Sequence, residues 1–486
     1  MIFYTIVIYC LIFLFFSGKP FTNDNITKWT WPGVFSIHVC TGLFFLYIYT
    51  HVVGPGELSQ DAGAYFFESE VLYNVFWQSP ADYIQLLFGF GDINSLTQQH
   101  LLETNHWDVG SQAISNESRN MIRLHSLLHF LSFKLPEVHI LFMALISTLS
   151  GFFFYRSIRN KTRVSNYISI IVVCFVPNFL FWSSGLLKEP IYLFGFSLII
   201  YSLFAKEKLV KHWLAFTTGI LLLLLFKFHF LLIVLLGITI WRISRLFDAN
   251  KIILTATITL TSIFFLLLTF SSLRVELTKT ISRKQFDFKN ISRGGLHIDT
   301  DSCFYFFNEH KLDNLSIKND SVFLIAKTEV LKVNHKHRGA PDTVTLFPDG
   351  VKMKIHFMRP KSESYFEITD LNFNFNQLVK LIPEGLINGF FRPFYYEKNG
   401  LLKWISIVEW LLIWAFFLFS FRWIKNISFT QIELYIFLFV ISLLSAMIIG
   451  WTTPVSNAIV RYRIPIHLCM VLVTLLNWNQ KTLQND

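Results

Sequence analysis

Charged residues are scarce: they make up 15% of the chain's 486 residues, where a soluble domain carries roughly a quarter. That shortage excludes an ordinary water-soluble domain. Cysteine is scarce as well. Cys10, Cys40, Cys174 and Cys469 fall in apolar runs, and Cys303 stands alone in a polar one. With no CxxC or paired spacing, neither a zinc site nor a disulfide framework is supported. The chain also lacks a His/Glu metal motif, a G-x-S-x-G elbow and a P-loop. The isolated His125, His129 and His139 make no metal set that spacing supports. No internal repeat or low-complexity tract is present. The net charge of +10 is not interleaved with aromatics in a nucleic-acid pattern, so no nucleic-acid partner is expected.

What is abundant is apolar sequence, 53% hydrophobic and 17% aromatic. Several runs exceed the roughly 18 residues that cross a bilayer as a helix. The expectation is an all-α polytopic membrane protein with about eleven transmembrane helices and a small extracytoplasmic α+β insertion. The spans are expected near 1–18, 30–54, 136–155, 164–183, 187–204, 213–227, 229–247, 251–272, 401–424, 430–451 and 457–478. The first run, "MIFYTIVIYCLIFLFFSG", has neither a basic n-region nor a small-residue cleavage site, and reads as a spanning helix.

Lysine and arginine in the short loops set the orientation. Lys19, Lys28, Arg156, Arg159, Lys161, Arg163, Lys206, Lys208, Lys211, Arg242, Arg245, Lys251, Arg422, Lys425 and Lys481 share one side. The other side has only Lys188, Lys227, Arg461 and Arg463. A multi-pass protein of the bacterial cytoplasmic membrane follows, N-terminus outward and C-terminus cytoplasmic.

Three parts result: a membrane core 1–272 with an outer loop 55–135, an extracytoplasmic domain 273–400, and C-terminal membrane helices 401–486. In the domain, "DTVTLFPDGVKMKIHFMRP" alternates on both sides of Pro348-Asp349-Gly350, which predicts a β-hairpin. "FNQLVKLIPEGLINGFFRPFYYE" then predicts an amphipathic segment on the outer leaflet. "MIRLHSLLHFLSF", in the first loop, is too short to cross and reads as interfacial or re-entrant.

The ionisable residues at span edges gather on the outer side: Asp61, Glu68, Lys188, Glu189, Lys227, His229, Arg392, Arg461 and Arg463. Charges at membrane depth are costly and commonly line cavities or substrate paths. In "PGELSQDAGAYFFESEVL", Asp61, Tyr65 and Glu68 share one face of a helix. Such a carboxylate suits a general base or a cation ligand; the plainer reading is an acid favoured by a helix N-terminus. In "SSGLLKEP", the bland reading is a hairpin loop with an exposed ion pair. A helix beginning near Pro190 would instead aim its amides outward beside Lys188, an anion site. In "GWTTPVSNAIVRYRIPIHL", the guanidinium groups of Arg461 and Arg463 suit phosphate oxygens, or they snorkel to headgroups. Lys227 and His229 fit a hairpin cap equally well, and Arg392 an interfacial anchor.

These stretches carry a resemblance. A polytopic core with a large first outer loop bearing Asp61 in "DAGAYFF" resembles the GT-C superfamily of membrane glycosyltransferases. "PNFLFWSSGLLKEP", "FFRPFYYE" and "TTPVSNAIVRYRIP" are similar to segments of bacterial membrane proteins of surface-polysaccharide assembly. The resemblance implies a hexosyl- or pentosyltransferase that uses a polyprenyl-phosphate-linked sugar donor at the outer face, with a glycan or lipid-linked acceptor. It makes Asp61 the base or metal ligand and Glu68 the second candidate. Tyr65, Lys188, Glu189, Lys227, His229, Arg392, Arg461 and Arg463 would then bind substrate. Gln60 stands where several subfamilies carry a second acid, and Asp61 follows the second apparent span rather than the first. A divalent cation is therefore left open and no cofactor is assigned. An O-antigen-type polymerase or ligase would call for the same outer arginines and loop. A lipid-linked glycan transporter would favour mid-membrane charges and repeats, and a non-catalytic scaffold would need neither.

Overall fold

The computed structural model describes all residues except 23–25, 103, 105, 108–115, 163, 206–208, 245–257, 259–260, 263–268, 300–302, 319–320, 335–339, 349–352, 360, 398–400, 424–428 and 479–486. The chain divides into two compact units. One comprises Met1–Thr239, Ile413–Leu438 and His467–Asp486; the other comprises Ile240–Leu412 and Phe439–Ile466.

The first unit is helical. It runs α1 (Ile2–Ser17), α2 (Thr30–Tyr47), α3 (Gln60–Gln78), α4 (Pro80–Phe88), α5 (Ile93–His100), α6 (Glu117–Ser132), α7 (Pro136–Ile158), α8 (Asn166–Cys174), α9 (Pro177–Ser183), α10 (Glu189–Leu203) and α11 (Val210–Phe226), and then enters α12 (Phe228–Ser244). Local chemistry fixes many of the starts. Pro80, Pro136, Pro177 and Pro190 occupy first turns, where the missing N–H would have had no partner. Ser79, Asn116 and Ser165 cap α4, α6 and α8 by accepting from first-turn amides. α10 packs along α7 and α11, α2 along α7, and α3 along α6.

The structure supports fewer spans than the eleven expected. Among the described residues, four helices are long and apolar enough to cross a membrane: Thr30–Val52, Pro136–Lys161, Lys403–Ser420 and Ile432–Thr452. The number is six if each of two bent pairs is one span, α8 with α9 at 61° and Ser456–Tyr462 with Ile464–Asn477 at 46°. The expected spans at 1–18, 187–204, 213–227 and 229–247 form helices of 10–17 residues. At about 1.5 Å per residue this is about 15–26 Å against a hydrocarbon core about 30 Å thick, so by described length alone these helices do not confirm the expected spans. Pro177 and Pro190 begin new helices and Lys227 separates α11 from α12, so these apolar runs are divided into shorter helices. The run at 251–272 lies largely outside the described residues.

The second unit carries the β structure. α13 (Ser271–Arg293) leads to β1 (Gly295–Asp299), β2 (Cys303–Phe307), β3 (Leu315–Lys318), β4 (Ser321–Leu324), β5 (Thr328–Asn334), β6 (Asp342–Leu346) and β7 (Met353–Arg359). They form one sheet in the order β3-β4-β7-β1-β2-β5-β6, each neighbouring pair antiparallel. Leu296, Ile298, Phe307, Val322 and Val330 form its buried core. The hairpin expected about Pro348 is corrected here. Both strands exist, but β6 pairs with β5 at the sheet edge while β7 lies between β4 and β1. Alternation identifies a strand; the shared buried face decides its partner.

After the sheet come α14 (Phe375–Lys380), α15 (Ile382–Phe391), α16 (Leu401–Ser420), α17 (Phe429–Thr452), α18 (Ser456–Tyr462) and α19 (Ile464–Asn477). α15 meets α17 backbone to backbone. A Cβ on Gly450 would fall 1.8 Å from the Gly385 carbonyl oxygen, and one on Gly389 would fall 2.2 Å from that of Ala446. Two small-xxx-small ridges thus face each other, a packing mode of helices in lipid. Trp451 Nε1 donates to Leu381 O at 2.8 Å across the same contact.

Candidate functional site

In the first unit, several chain segments converge on Glu117. It opens α6, where Asn116 Oδ1 accepts from the amides of Ser118 and Arg119, both at 3.1 Å. Lys188, immediately before α10, brings Nζ to 3.5 Å from Glu117 Oε2 and donates to Ser118 Oγ at 3.2 Å. His229, in the first turn of α12, places Nδ1 3.7 Å from Glu117 Oε1. Burial opposes the charge on Glu117. The interaction with His229 and the charges of Lys227 and Lys188 prevail, and hold its carboxyl well below the ordinary range. Lys188 Nζ lies 5.6 Å from the Tyr65 ring centroid and Lys227 Nζ lies 5.5 Å from that of Tyr192, both within cation–π reach. Asn120 Nδ2 donates to Leu225 O at 2.8 Å, tying α6 to the end of α11.

A second centre adjoins it on α3. Glu68 Oε1 lies 2.7 Å from His106 Nδ1, and the His106 backbone N–H donates to Glu68 Oε2 at 3.2 Å. The His106 carbonyl in turn accepts from Arg119 Nε at 2.7 Å. Arg119 and Arg123 both lie against the Trp107 ring, at 5.1 and 5.2 Å from its centroid. Arg123 also donates to Leu86 O at 3.0 Å and to Asn120 Oδ1 at 2.9 Å. The Tyr65 and His106 ring centroids are 6.0 Å apart.

A buried polar group lies elsewhere on α6. His125 and His139 meet Nδ1 to Nδ1 at 2.8 Å, Ser132 Oγ lies 2.8 Å from His139 Nε2, and Ser69 Oγ lies 2.9 Å from His129 Nε2. Among the described residues, no cluster of three or more His, Cys, Asp or Glu has the geometry of a metal site.

Lys188, Lys227 and His229, all singled out by sequence, are brought together here, with Tyr65 beneath Lys188. Glu68 belongs to the adjoining centre. Asp61 is exposed in the first turn of α3, and Glu189 is fully buried as the first residue of α10. Lys188 pairs with Glu117 rather than with its neighbour, so the exposed Lys188–Glu189 pair is corrected. Ser183 and Ser184 are buried too: Ser184 Oγ lies 2.9 Å from His38 Nδ1, and Ser147 Oγ meets both that nitrogen and Ser183 Oγ.

Arg392, Arg461 and Arg463 belong to the second unit. Arg392 pairs with Glu397 at 2.5 Å and lies 3.5 Å from the Phe366 centroid; Glu397 also accepts from Ser456 Oγ. Arg463 is fully buried and donates to Phe390 O at 2.9 Å, Arg392 O at 2.6 Å and Ser406 Oγ at 3.2 Å. Its guanidinium is thereby committed to the end of α15. Arg461 lies in the last turn of α18, partly exposed beside Tyr462. A cavity of about 410 Å³ in this unit is lined by Arg274, Lys279, Phe373 and Phe375 among others; no sequence candidate lines it.

Sequence reasoning missed Glu117, His106, Arg119 and Arg123. A capping signal, Asn116 before "ESR", marks the start of α6, but nothing local tells that Lys188 and His229 meet there.

Comparisons with protein-family models, with curated proteins and with solved structures each find no match to this chain. What the fold itself defines is a class: a helical chain whose apolar helices are compatible with a multi-pass membrane protein, carrying a small β-sheet.

Proposed function

We propose that this chain is an integral membrane glycosyltransferase that takes a sugar from a polyprenyl-phosphate donor at the outer face of the bacterial cytoplasmic membrane, in surface-glycan assembly. The observation that carries the proposal is the convergence of Lys188, Lys227 and His229 on Glu117, at helix ends beside apolar helices. Cations so placed suit a lipid phosphate whose charge grows as the sugar departs. Glu117 keeps them in place without substrate. Tyr65 and Tyr192 limit where the ammonium groups can go. In this reading Asp61, exposed in the first turn of α3, binds the acceptor. Arg392 and Arg463 take supporting roles in this proposal, because their side chains are engaged within the second unit.

The test is a strain whose own copy is replaced by variants. Lys188→Ala should reduce surface glycan at least tenfold while the protein stays at wild-type level in the membrane. Undiminished glycan in both Lys188→Ala and Lys227→Ala would overturn the proposal.

A further inference from the structure

We infer that His106, held by Glu68, is the general base that activates the acceptor hydroxyl, with Asp61 an acceptor-binding residue. The inference rests on the transferase reading and assigns its proton transfer. A carboxylate only accepts hydrogen bonds, so the 2.7 Å contact with Glu68 Oε1 assigns the proton to His106 Nδ1. The ring's opposite nitrogen, Nε2, is then the basic one. Among the described residues Nε2 has no hydrogen-bond partner, and the side chain is 30% exposed. His125, His129 and His139 are fully buried and offer no approach to a hydroxyl.

Glu68 holds this residue twice, through Nδ1 and through the backbone N–H at 3.2 Å. Arg119 fixes the carbonyl at 2.7 Å. The backbone bonds alone would anchor the segment, so the additional bond to the ring is what orients the imidazole. This is the arrangement of a base with its orienting carboxylate. Among the described residues, the charged and titratable groups facing His106 are Glu68 and Tyr65 from α3 and Arg119 from α6. The Tyr65 ring connects the two centres: His106 stands on it at 6.0 Å and the phosphate-binding Lys188 at 5.6 Å.

In the step, the acceptor oxygen bonds to the anomeric carbon while Nε2 takes the hydroxyl proton. The bond from that carbon to the phosphate oxygen breaks, and its electron pair leaves with the polyprenyl phosphate. The imidazolium then releases the proton to water.

The experiment uses membranes carrying the full-length chain, synthetic polyprenyl-phosphate hexoses and pentoses as donors, and the cell-envelope glycan fraction as acceptor. His106→Gln should lower kcat about 100-fold or more, with KM for the donor within a few-fold, and should abolish the acid limb of the rate–pH profile. Glu68→Gln should lower kcat and displace that limb, and Glu68→Asp should restore both in part. A His106→Gln enzyme with unchanged rate and pH profile overturns the inference, and leaves the transferase reading standing if Lys188→Ala is inactive. Wild-type membranes that transfer from none of these donors overturn both.

Discussion

The ionisable residues of this chain divide by what surrounds them. Lys188 and His229 each have a carboxylate within 4 Å, whereas His125 and His129 are kept neutral. Burial pushes those two imidazoles down to about 3 and about 4. In the unfolded chain they titrate near 6.5, so below that pH the unfolded state takes up protons that the folded state refuses. Stability should therefore fall as pH drops from about 6.5 toward 4, by on the order of 2 kcal/mol for His125 at pH 5. Melting temperatures in detergent between pH 7.5 and 4.5 measure this, and His125→Asn should flatten the decline. A wild-type melting temperature constant over that range would contradict it. Lys188, Lys227 and His229 were legible in the sequence because charges stand out against apolar runs. Glu117 and His106 were not, because they sit in a polar loop where charge is ordinary. Their significance comes from partners 71 residues away for Lys188 and Glu117 and 38 for His106 and Glu68. Arg463 is the opposite case: its type and flanks suited phosphate, and its partners, the carbonyls of Phe390 and Arg392, are visible only in the fold.

Among elements, the contact of α15 with α17 shows how closely small residues let helices approach. Gly450→Val should destabilise the protein by about 3 kcal/mol, through overpacking against the Gly385 backbone. Gly33→Ala, where an added Cβ meets nothing within 4 Å, should be neutral or slightly stabilising. Thermal melts of the two variants side by side measure the difference; equal melting temperatures would refute the close approach. The start of α10 was legible through Pro190, whereas Pro177, which begins α9, fell inside one expected span. The facing ridges Gly385–Gly389 and Ala446–Gly450 carry spacing alone, and spacing does not name its partner. The strands β6 and β7 were legible for the same reason that their separation was not: alternation is local and pairing is not.

At the scale of the molecule, the excess of lysine and arginine in one set of loops predicts which side is cytoplasmic. With the native cysteines replaced, a cysteine at Lys211 should react with a membrane-impermeant maleimide only after the cells are opened. One at Lys361 should react in intact cells. The reverse pattern would invert the proposed orientation and move the Glu117 cluster to the cytoplasmic side. The helical class was legible from composition; the division into two units was not, since each is assembled from separated stretches of chain.

That discontinuity has a consequence in time. Phe390 waits 73 residues for Arg463 to reach its carbonyl, and Glu397 waits 59 for the hydroxyl of Ser456. The sheet-bearing unit begins at Ile240 and is closed only by the stretch Phe439–Ile466. A nascent chain halted before residue 456 carries the carboxylate of Glu397 and the carbonyls of α15 without these partners. Completion of the unit thus waits until the chain has been translated through Arg463.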